Sequence, residues 1–328
     1  MADLSTTYLG LKLKNPIIVG SSGLTNSVDK VVDLEAQGAG AVVLKSLFEE
    51  EIALEFEQVM REIVARGYNA AEHEYFDQQI RSDRLAAHTA FIAAAKKAVA
   101  IPVIASVNCM YAHEWTAFAR ELQGAGADAL ELNMFFLPSD LNRSGAEQEQ
   151  LYFDLVKKVK AQVSIPVALK IGPHFSNLAL MIRQLSETGI DGLVLFNRFY
   201  TPDFDIDQFK VVSRNVLSTP AELGISLRWV AMMAGRVQCD LCASTGVHDG
   251  AAAIKLLLAG AQAVQVVSTL YQNGTQYIGT MLNELDAWMT RNGFFGLEQF
   301  VGKMSQAESE NPAAFERTQF MKYAGGGQ

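Results

Sequence analysis

Polar side chains follow a series of short apolar runs, and these positions are the ones in the chain that could do chemistry. A hydroxyl, amide or ammonium side chain stands at or close to the end of each run. The set comprises Ser22, Lys45, Asn108, Asn133, Lys170, Asn197, Thr245, Ser268 and Thr269. Parallel strands in barrel enzymes carry their functional residues at their carboxyl ends, so we expect these side chains to meet at one face of the fold.

The chemistry of this set favours an anionic, hydrogen-bonding ligand. Lysines and asparagines stand at these positions with no acidic residue among them. A divalent metal site needs carboxylate or imidazole ligands, so none is expected here. Ammonium, hydroxyl and amide groups instead suit a phosphate-bearing cofactor or a carbonyl-rich ring. Neither a G-x-S-x-G sequence nor a phosphate-binding P-loop sequence occurs, so a hydrolase or an NTPase is not supported.

The segment 240–270 indicates where a phosphate would bind. It reads as strand, loop, helix, strand, and the two apolar runs end in Ser244-Thr245-Gly246 and in Ser268-Thr269. Hydroxyl groups and glycine backbone N–H groups at such positions can hold a phosphate. In a (β/α)₈ barrel, the loops after the seventh and eighth strands do this, so six similar units should precede the segment.

Six such units are found, and the chain is therefore predicted to be an α/β protein with a single (β/α)₈ TIM barrel over residues 1–306. The expected strands are 17–20, 41–44, 102–107, 129–132, 166–169, 192–196, 241–243 and 263–267. The helices expected between and after them include 28–37, 83–98, 113–124, 147–163, 176–188, 225–235 and 276–291. The strand runs do not alternate with polar residues, as is typical of buried parallel strands.

Three further segments complete this prediction. Residues 6–14 are expected to form a hairpin that closes the bottom of the barrel, and residues 307–328 form a polar C-terminal tail. An acidic, irregular insertion, residues 47–81, follows the second strand. An insertion of that length lies on the catalytic face of a barrel and favours a functional role.

Bulk composition narrows the class of protein. The net charge is −9, which argues against binding to nucleic acid. We find no apolar stretch of about 18 residues and no secretory signal, so a cytoplasmic protein without a membrane span is expected. The three cysteines fit a reducing compartment, and Cys239-x-x-Cys242 is interpreted as structural because Cys242 falls in a predicted buried strand.

Several of these segments together resemble dihydroorotate dehydrogenase of the soluble, FMN-dependent class 1 type. The matching segments are Asn15-Pro16, Ser22-Gly23, VLKS at 43–46, ELN at 131–133, VALK at 167–170, Phe196-Asn197, STG at 244–246, LLLAGAQAVQVVSTLYQNG at 256–274 and GFFGLEQFVGK at 293–303. The resemblance spans nearly the whole chain. The ordered set of Lys-Ser, Glu-Leu-Asn, Lys and Asn is its most specific part.

The resemblance implies a barrel that holds FMN at its mouth, a small-molecule substrate and a homodimer. The cofactor-binding residues that it implies are Ser22, Lys45, Ser46, Asn133, Lys170, Phe196, Gly224, Thr245, Gly246, Ser268 and Thr269. Gly224, in the predicted loop before the helix 225–235, would lie beside the phosphate. The implied substrate-binding residues are Lys45, Asn69, Asn133 and Asn197.

The chain departs from the family where the substrate should bind. The family carries its catalytic base just after the strand-4 asparagine, in N-x-S-C-P-N. Here the chain reads N-M-F-F-L-P-S from Asn133 to Ser139, without a cysteine, and the nearby hydroxyls are Ser139 and Ser144. The family's N-S-x-G-L-P-N loop is replaced by residues 67–72, and its Asn-Ser pair by Asn197-Arg198.

We therefore predict an FMN-dependent dehydrogenase that acts on a CH–CH group, with Ser139, Lys45 and Lys170 as its catalytic residues. The substrate is dihydroorotate, as in pyrimidine biosynthesis, or another small unsaturated or carbonyl-activated molecule. Tyr68 or another residue of the 47–81 insertion could replace Ser139 as the base. Two alternatives stay open: a non-oxidative phosphate-binding lyase or isomerase that uses Lys170 or Lys45, and a catalytically silent barrel.

Overall fold

A ring of parallel strands forms the centre of the protein in the computed structural model, which describes residues 2–48, 73–108, 112–134, 136–198, 202–213 and 216–316. The strands of the described residues are β1 (Thr6–Tyr8), β2 (Leu11–Leu13), β3 (Ile17–Val19), β4 (Ala41–Val43), β5 (Leu47–Phe48), β6 (Val103–Asn108), β7 (Ala129–Asn133), β8 (Val167–Ile171), β9 (Gly192–Leu195), β10 (Pro202–Asp205), β11 (Lys210–Ser213), β12 (Asp240–Ala243) and β13 (Ala263–Val266). The ring runs β4-β3-β13-β12-β9-β8-β7-β6, and β6 pairs in parallel with β4 to close it. Eight strands of the described residues thus form the predicted barrel.

Helices surround the ring and return the chain from one strand to the next. They are α1 (Val28–Ala36), α2 (His73–Ala98), α3 (Ala112–Gly124), α4 (Gly145–Lys160), α5 (Leu178–Ser186), α6 (Leu223–Met233), α7 (Gly250–Ala259), α8 (Ser268–Asn273), α9 (Tyr277–Arg291) and α10 (Ala313–Glu316). Local sequence sets their ends: the Asp249 carboxylate accepts the Ala252 N–H at 2.7 Å and caps α7, and Gly260 ends it at a positive φ of 118°. No helix within these ranges is long and apolar enough to cross a membrane.

Each barrel strand has two buried faces, and alternate residues serve different cores. Residues such as Val42 and Leu130 belong to the large cluster that includes the helices. Their neighbours in sequence, such as Val43 and Ala129, face the inside of the ring. Because both faces are apolar, the strands read as unbroken hydrophobic runs in the sequence.

The N-terminal hairpin closes the bottom of the barrel, as predicted. Strands β1 and β2 pair in antiparallel fashion. Tyr8, Leu9 and Leu13 are almost fully buried and pack against the lowest inward residues of the ring. The interior is therefore filled with side chains at this end, which leaves the carboxyl ends of the strands as the open face.

Two segments differ from the sequence prediction: the insertion after the second predicted strand and the segment between β9 and α6. Helix α2 begins at His73 rather than at residue 83, and β5 pairs with β6 at the start of the predicted irregular insertion. Tyr68 and Asn69 lie outside the described residues. The segment 202–213, for which no strand was predicted, forms the β10–β11 hairpin. Its apolar side chains face solvent (Phe204 is 67% exposed), so it lacks the pattern of a buried strand.

The beginning of the C-terminal tail packs on the barrel. Gln306 donates its backbone N–H to the Ala231 carbonyl at 2.8 Å and its side-chain Nε2 to the Pro312 carbonyl at 2.9 Å. Phe315 of α10 is partly buried against the core. Residues 317–328 lie outside the described residues.

Candidate active site

A cleft opens at the carboxyl ends of the strands, where the strand-end side chains were expected to meet. Its lining contains five of the predicted site residues: Lys170, Asn197, Thr245, Gly246 and Ser268. The other residues that line it are Ser21, Arg198, Val216, Ser218, Ser244, Val247, Gln265 and Val267. The lining is rich in hydroxyl and amide groups and carries two cationic side chains.

Lys170 lies at the floor of this cleft and has two buried polar neighbours. Its ammonium donates a 2.7 Å hydrogen bond to Oε1 of Gln265 on β13. Gln265 in turn donates from Nε2 to Oε2 of Glu131 on β7. The other carboxylate oxygen, Oε1 of Glu131, lies 3.7 Å from the Lys170 ammonium. Within the described residues, no acidic residue stands at the barrel strand ends themselves, but Glu131 reaches Lys170 from a position deeper inside the barrel.

Strand parity is the signal that could have identified Glu131 and Gln265. Inward-facing residues alternate along a strand, so the residue two before Asn133 points to the same side as Asn133. Glu131 stands at that position. Likewise, Gln265 stands two residues after Ala263, which lies in the inner core. Counting by two along each predicted strand would have placed both polar side chains inside the ring.

Two predicted asparagines meet above Lys170. Asn197 follows β9 and donates from Nδ2 to Oδ1 of Asn133, at the end of β7, over 2.5 Å. The adjacent Arg198 donates from Nε to Oε1 of Glu222 over 2.6 Å and from Nη1 to the carbonyl of Val216 over 3.0 Å. Arg198, which replaces the family's serine, is thus held at the cleft wall by an ion pair. The pKa of the Glu222 carboxyl group is lowered from its usual value. Burial alone would raise this pKa, but the hydrogen bonds from Arg198 and Thr219 outweigh that effect.

The turn after β12 packs directly on the beginning of α6. Thr245 and Gly246 have positive φ angles of 77° and 79°. The Thr245 hydroxyl donates to the Phe196 carbonyl at 2.9 Å. A Cβ atom on Gly246 would overlap the backbone nitrogen of Leu223, so only glycine allows this approach. Phe196 itself is buried, and its carbonyl fixes the turn.

A second group of hydroxyls supports the turn after β13. The hydroxyl of Ser268 accepts the backbone N–H of Ser218 at 2.9 Å, and the hydroxyl of Ser218 lies 3.1 Å from Nε2 of His248. The Thr269 hydroxyl is fully buried and donates to the His248 carbonyl at 2.9 Å. Ser268 therefore lines the cleft, whereas the Thr269 side chain holds the loop in place. His248 lies behind the cleft lining, in contact with Ser218, and His174 is exposed.

Lys45 and Ser46 line a neighbouring cleft beside α2. That cleft also contains Asn26, Leu47, Arg84, Ala87, His88 and Phe91. Ser46 connects the two clefts, since its hydroxyl lies 3.1 Å from that of Ser21 and 2.7 Å from that of Ser106. Burial, and then the charge of Lys45, lower the pKa of His88 to about 4.

Ser21 occupies the place that was predicted for Ser22. The Ser22 hydroxyl accepts the Leu24 N–H at 3.2 Å and caps the short 3₁₀ turn Gly23–Thr25. The side chain that reaches the cleft is that of Ser21. A one-residue shift of this kind arises because the strand already ends at Val19 and no apolar alternation marks which serine points inward.

The loop from Asn133 to Ser139 leaves the barrel soon after β7. Phe136 makes an edge-on contact with Tyr152 of α4, with ring centroids 5.8 Å apart, and Phe135 lies outside the described residues. The Ser139 hydroxyl is exposed and makes a long, 3.5 Å hydrogen bond to the Leu137 carbonyl. Ser144, the other candidate hydroxyl, caps α4 through Glu147. The Ser139 hydroxyl therefore caps no helix, unlike the Ser144 hydroxyl.

Gly224 does not line the strand-end cleft. It was predicted in the loop before a helix, but it is the second residue of α6, and a Cβ atom there would meet nothing within 4 Å. It borders a separate, more apolar cleft with Leu227, Leu258 and Phe315. The helix starts earlier than predicted because Pro220 and Glu222 already form a capped 3₁₀ turn that runs into it.

The cysteines of the described residues are structural. Cys239 and Cys242 are both free, and Cys242 is completely buried in β12. Burial raises the pKa of the Cys239 thiol to about 12, so it is protonated at neutral pH. Across the described ranges, no cluster of three or more His, Cys, Asp or Glu side chains could hold a metal ion.

Comparison with known proteins gives one family over most of the chain. The sequence model of the family described as Dihydroorotate dehydrogenase matches residues 3–289. The chain is 29% identical over 315 residues to the catalytic subunit of dihydroorotate dehydrogenase B (NAD(+)) from Thermoplasma acidophilum, covering 92% of this chain and 99% of the relative. It is 25% identical over 320 residues to PreA, a subunit of the NAD-dependent dihydropyrimidine dehydrogenase of Escherichia coli K12, covering 92% of this chain and 76% of the relative.

Proposed function

The chain belongs to the dihydroorotate dehydrogenase family, an oxidoreductase family acting on CH–CH groups, and on that basis we propose that it binds FMN in the cleft at the barrel mouth. The observation that carries the proposal is the placement of the Lys170 ammonium in the same cleft as Thr245, Gly246 and Ser268. A cation at one end and small hydroxyl and glycine residues at the other match the two halves of a flavin mononucleotide, a polar ring and a phosphate.

The donors of the cleft fit that cofactor. Ser268 and the Thr245-Gly246 turn follow the last two strands, where barrels commonly bind phosphate. Lys170, Ser21 and the Asn133–Asn197 pair supply donors near the centre of the barrel mouth, where the ring would lie. Lys45 and Ser46 would contact the ring from the neighbouring cleft. Thr269 and Phe196 act through the loops that they hold, and Gly224 has no place in this arrangement.

Bound FMN supplies a ring that accepts a hydride and gains negative charge. The protein's part is to hold substrate and proton acceptor in place. Lys170 presents a fixed positive charge, which stabilises charge that develops next to it. The Asn133 and Asn197 amides, already joined at 2.5 Å, offer a preorganised group for the carbonyls of a substrate ring. Ser139 is the proposed proton acceptor, and Lys45 a further substrate contact.

We further propose that the substrate is a dihydropyrimidine, with dihydroorotate as the first candidate. Relatives over 92% of the chain are named for dihydroorotate and for dihydropyrimidine. A dihydropyrimidine without a carboxylate is the second candidate. It is supported by the relative that is named as a subunit of a dihydropyrimidine dehydrogenase. The non-oxidative alternative that uses Lys170 as a nucleophile loses support, because the Lys170 ammonium is bonded to Gln265 and close to Glu131, unlike a free amine nucleophile.

Purified protein tests these proposals directly. We expect a yellow protein with absorption near 370 and 450 nm (approximate values for a bound flavin). Under anaerobic conditions, dihydroorotate and dihydrouracil are added separately, and the substrate is the one that bleaches the band. A colourless protein that takes up no FMN would refute the cofactor. A flavin that dithionite bleaches but neither compound does would refute the substrate class.

The predicted homodimer and cytoplasmic location are carried here as proposals. They rest on the resemblance and, for the location, on the few cysteines. Light scattering on the purified chain distinguishes a dimer from a monomer of 35.8 kDa.

A further inference from the structure

Lys170, Gln265 and Glu131 form a closed polar network inside the barrel. The exposed fractions of the three residues are 8%, 2% and 1%. Gln265 connects the two charges: its Oε1 accepts from Lys170, and its Nε2 donates to Glu131. These contacts join β13 to β7 and β8, which are neighbours of each other in the ring but are far from β13 in the sequence.

Packing alone does not require this network. Two residues earlier on the same strands stand Ala129, Ala168 and Ala263, which are buried in an apolar inner core beneath the three polar side chains. Larger apolar side chains could fill the layer above. A buried carboxylate and ammonium carry a desolvation penalty, and replacing such a pair by apolar groups is often neutral or stabilising. A functional role at the cleft floor explains why three polar side chains occupy a layer that apolar side chains could fill.

Glu131 is the anionic neighbour of Lys170 among the described residues of the interior. Cys242 and Tyr8 face the same space, and burial raises the pKa of both groups well above their usual ranges, so both are neutral. Arg198, the second cation of the cleft, is already paired with Glu222. Oε1 of Glu131 is buried and accepts no hydrogen bond, so its stabilisation comes from the Lys170 charge 3.7 Å away.

We propose that Glu131 is a positioning residue for Lys170: it is the counter-ion that keeps the Lys170 amine charged at the floor of the FMN cleft, with Gln265 fixing the direction of the ammonium. An isolated ammonium at such a site would lose its proton, because burial without a partner disfavours the charged form. The inference deepens the proposed function and rests on it for its consequence, a cationic contact for the flavin ring.

The first test needs no cofactor. Full-length protein is treated with a trace of acetic anhydride over a range of pH, and acetylation of Lys170 is followed by mass spectrometry. Since only the uncharged amine reacts, Lys170 of the wild type should react slowly at neutral pH. In Glu131→Gln, it should react about tenfold faster or more at the same pH. Cys242→Ala, which changes packing next to Lys170 but no charge, should behave as the wild type. Equal profiles for Glu131→Gln and wild type would overturn the proposal.

The second test uses bound FMN. Loss of the Lys170 charge removes stabilisation of the reduced ring, so the midpoint potential of FMN in Glu131→Gln should fall towards that in Lys170→Met. Adding Glu131→Gln to Lys170→Met should then change it little. A potential in Glu131→Gln that is unchanged or higher would overturn the inference. If the wild type binds no FMN, the proposed function fails, while the acetylation profiles still decide the role of Glu131.

Folding provides a third readout if Glu131→Gln is unstable. Glu131→Gln leaves the buried Lys170 amine without its counter-ion. The double variant Glu131→Gln/Lys170→Met replaces that amine by an apolar side chain, so it should unfold at a higher temperature than Glu131→Gln alone. A double variant no more stable than the single one would show that the two charges do not depend on each other.

Discussion

Asn197 donates a 2.5 Å hydrogen bond from Nδ2 to Oδ1 of Asn133, and the two residues are 64 positions apart in the chain. Their strands, β9 and β7, lie on either side of β8, which carries Lys170. The amide pair therefore spans the strand end above the lysine. It fixes two side chains that a substrate ring or a flavin would otherwise have to order.

Replacing one member of this pair should weaken the site. In Asn133→Ala, the Asn197 amide loses its partner, and an unsatisfied partly buried amide costs about 1–3 kcal/mol. We expect the FMN dissociation constant, measured by quenching of flavin fluorescence, to rise roughly tenfold. Because the two residues act together, Asn133→Ala/Asn197→Ala should bind FMN little worse than either single variant. Fully additive losses would show that the hydrogen bond does not couple them.

Gly246 and Gly224 form a matched pair of glycines. Gly246→Ala places a Cβ atom against the Leu223 backbone at a φ of 79°, so both FMN affinity and the unfolding temperature should fall. Gly224→Ala adds a methyl group to open space within α6 and should stabilise the protein by about 0.5–1 kcal/mol, with FMN affinity unchanged. Calorimetry and fluorescence titration measure the two effects. Weaker FMN binding in Gly224→Ala would instead support the predicted place of Gly224 beside the phosphate.

Ser139 and Ser144 separate proton transfer from helix capping. If Ser139 accepts the substrate proton, Ser139→Ala should slow anaerobic flavin reduction by roughly 10²–10⁴-fold, the usual value of general acid–base catalysis. Ser144→Ala removes the cap of α4 and should lower the free energy of unfolding by about 1 kcal/mol without changing the rate. Stopped-flow absorbance and urea unfolding measure these quantities. An unchanged rate in Ser139→Ala would move the search for the base to the 47–81 insertion.

His88 should make stability depend on pH. Burial lowers its pKa in the folded protein from 6.5 to about 4, so it stays neutral there while the unfolded chain takes up a proton below about pH 6.5. Above pH 6.5, this pKa difference does not reduce the free energy of unfolding. As the pH falls from 6.5 towards 4, the free energy of unfolding should decrease by up to about 3 kcal/mol. Urea unfolding at pH 7.5, 6 and 5 measures the slope. His88→Leu should reduce the slope, and identical slopes in variant and wild type would contradict the assignment.

Local sequence patterns were enough to predict most of the fold. The apolar runs, such as those ending at Lys45, Asn133 and Lys170, identified the barrel strands because buried parallel strands are apolar on both faces. The predicted helix ends were less accurate where a capped turn extends the helix, as at Gly224. The β10–β11 hairpin was missed because Phe204 and Val211 are exposed and give no burial pattern. The roles of Ser139 and Lys45 stay predictions.

The sequence by itself determined that an eight-stranded barrel presents lysines and asparagines at its mouth. Only the tertiary structure decided which side chains meet there. Gln265 is 95 positions from Lys170 and 134 from Glu131, and only closure of the ring in this register brings the three together. Periodicity reports which face of a strand a residue occupies, whereas a contact across the barrel depends on strand order and stagger, which no local pattern contains.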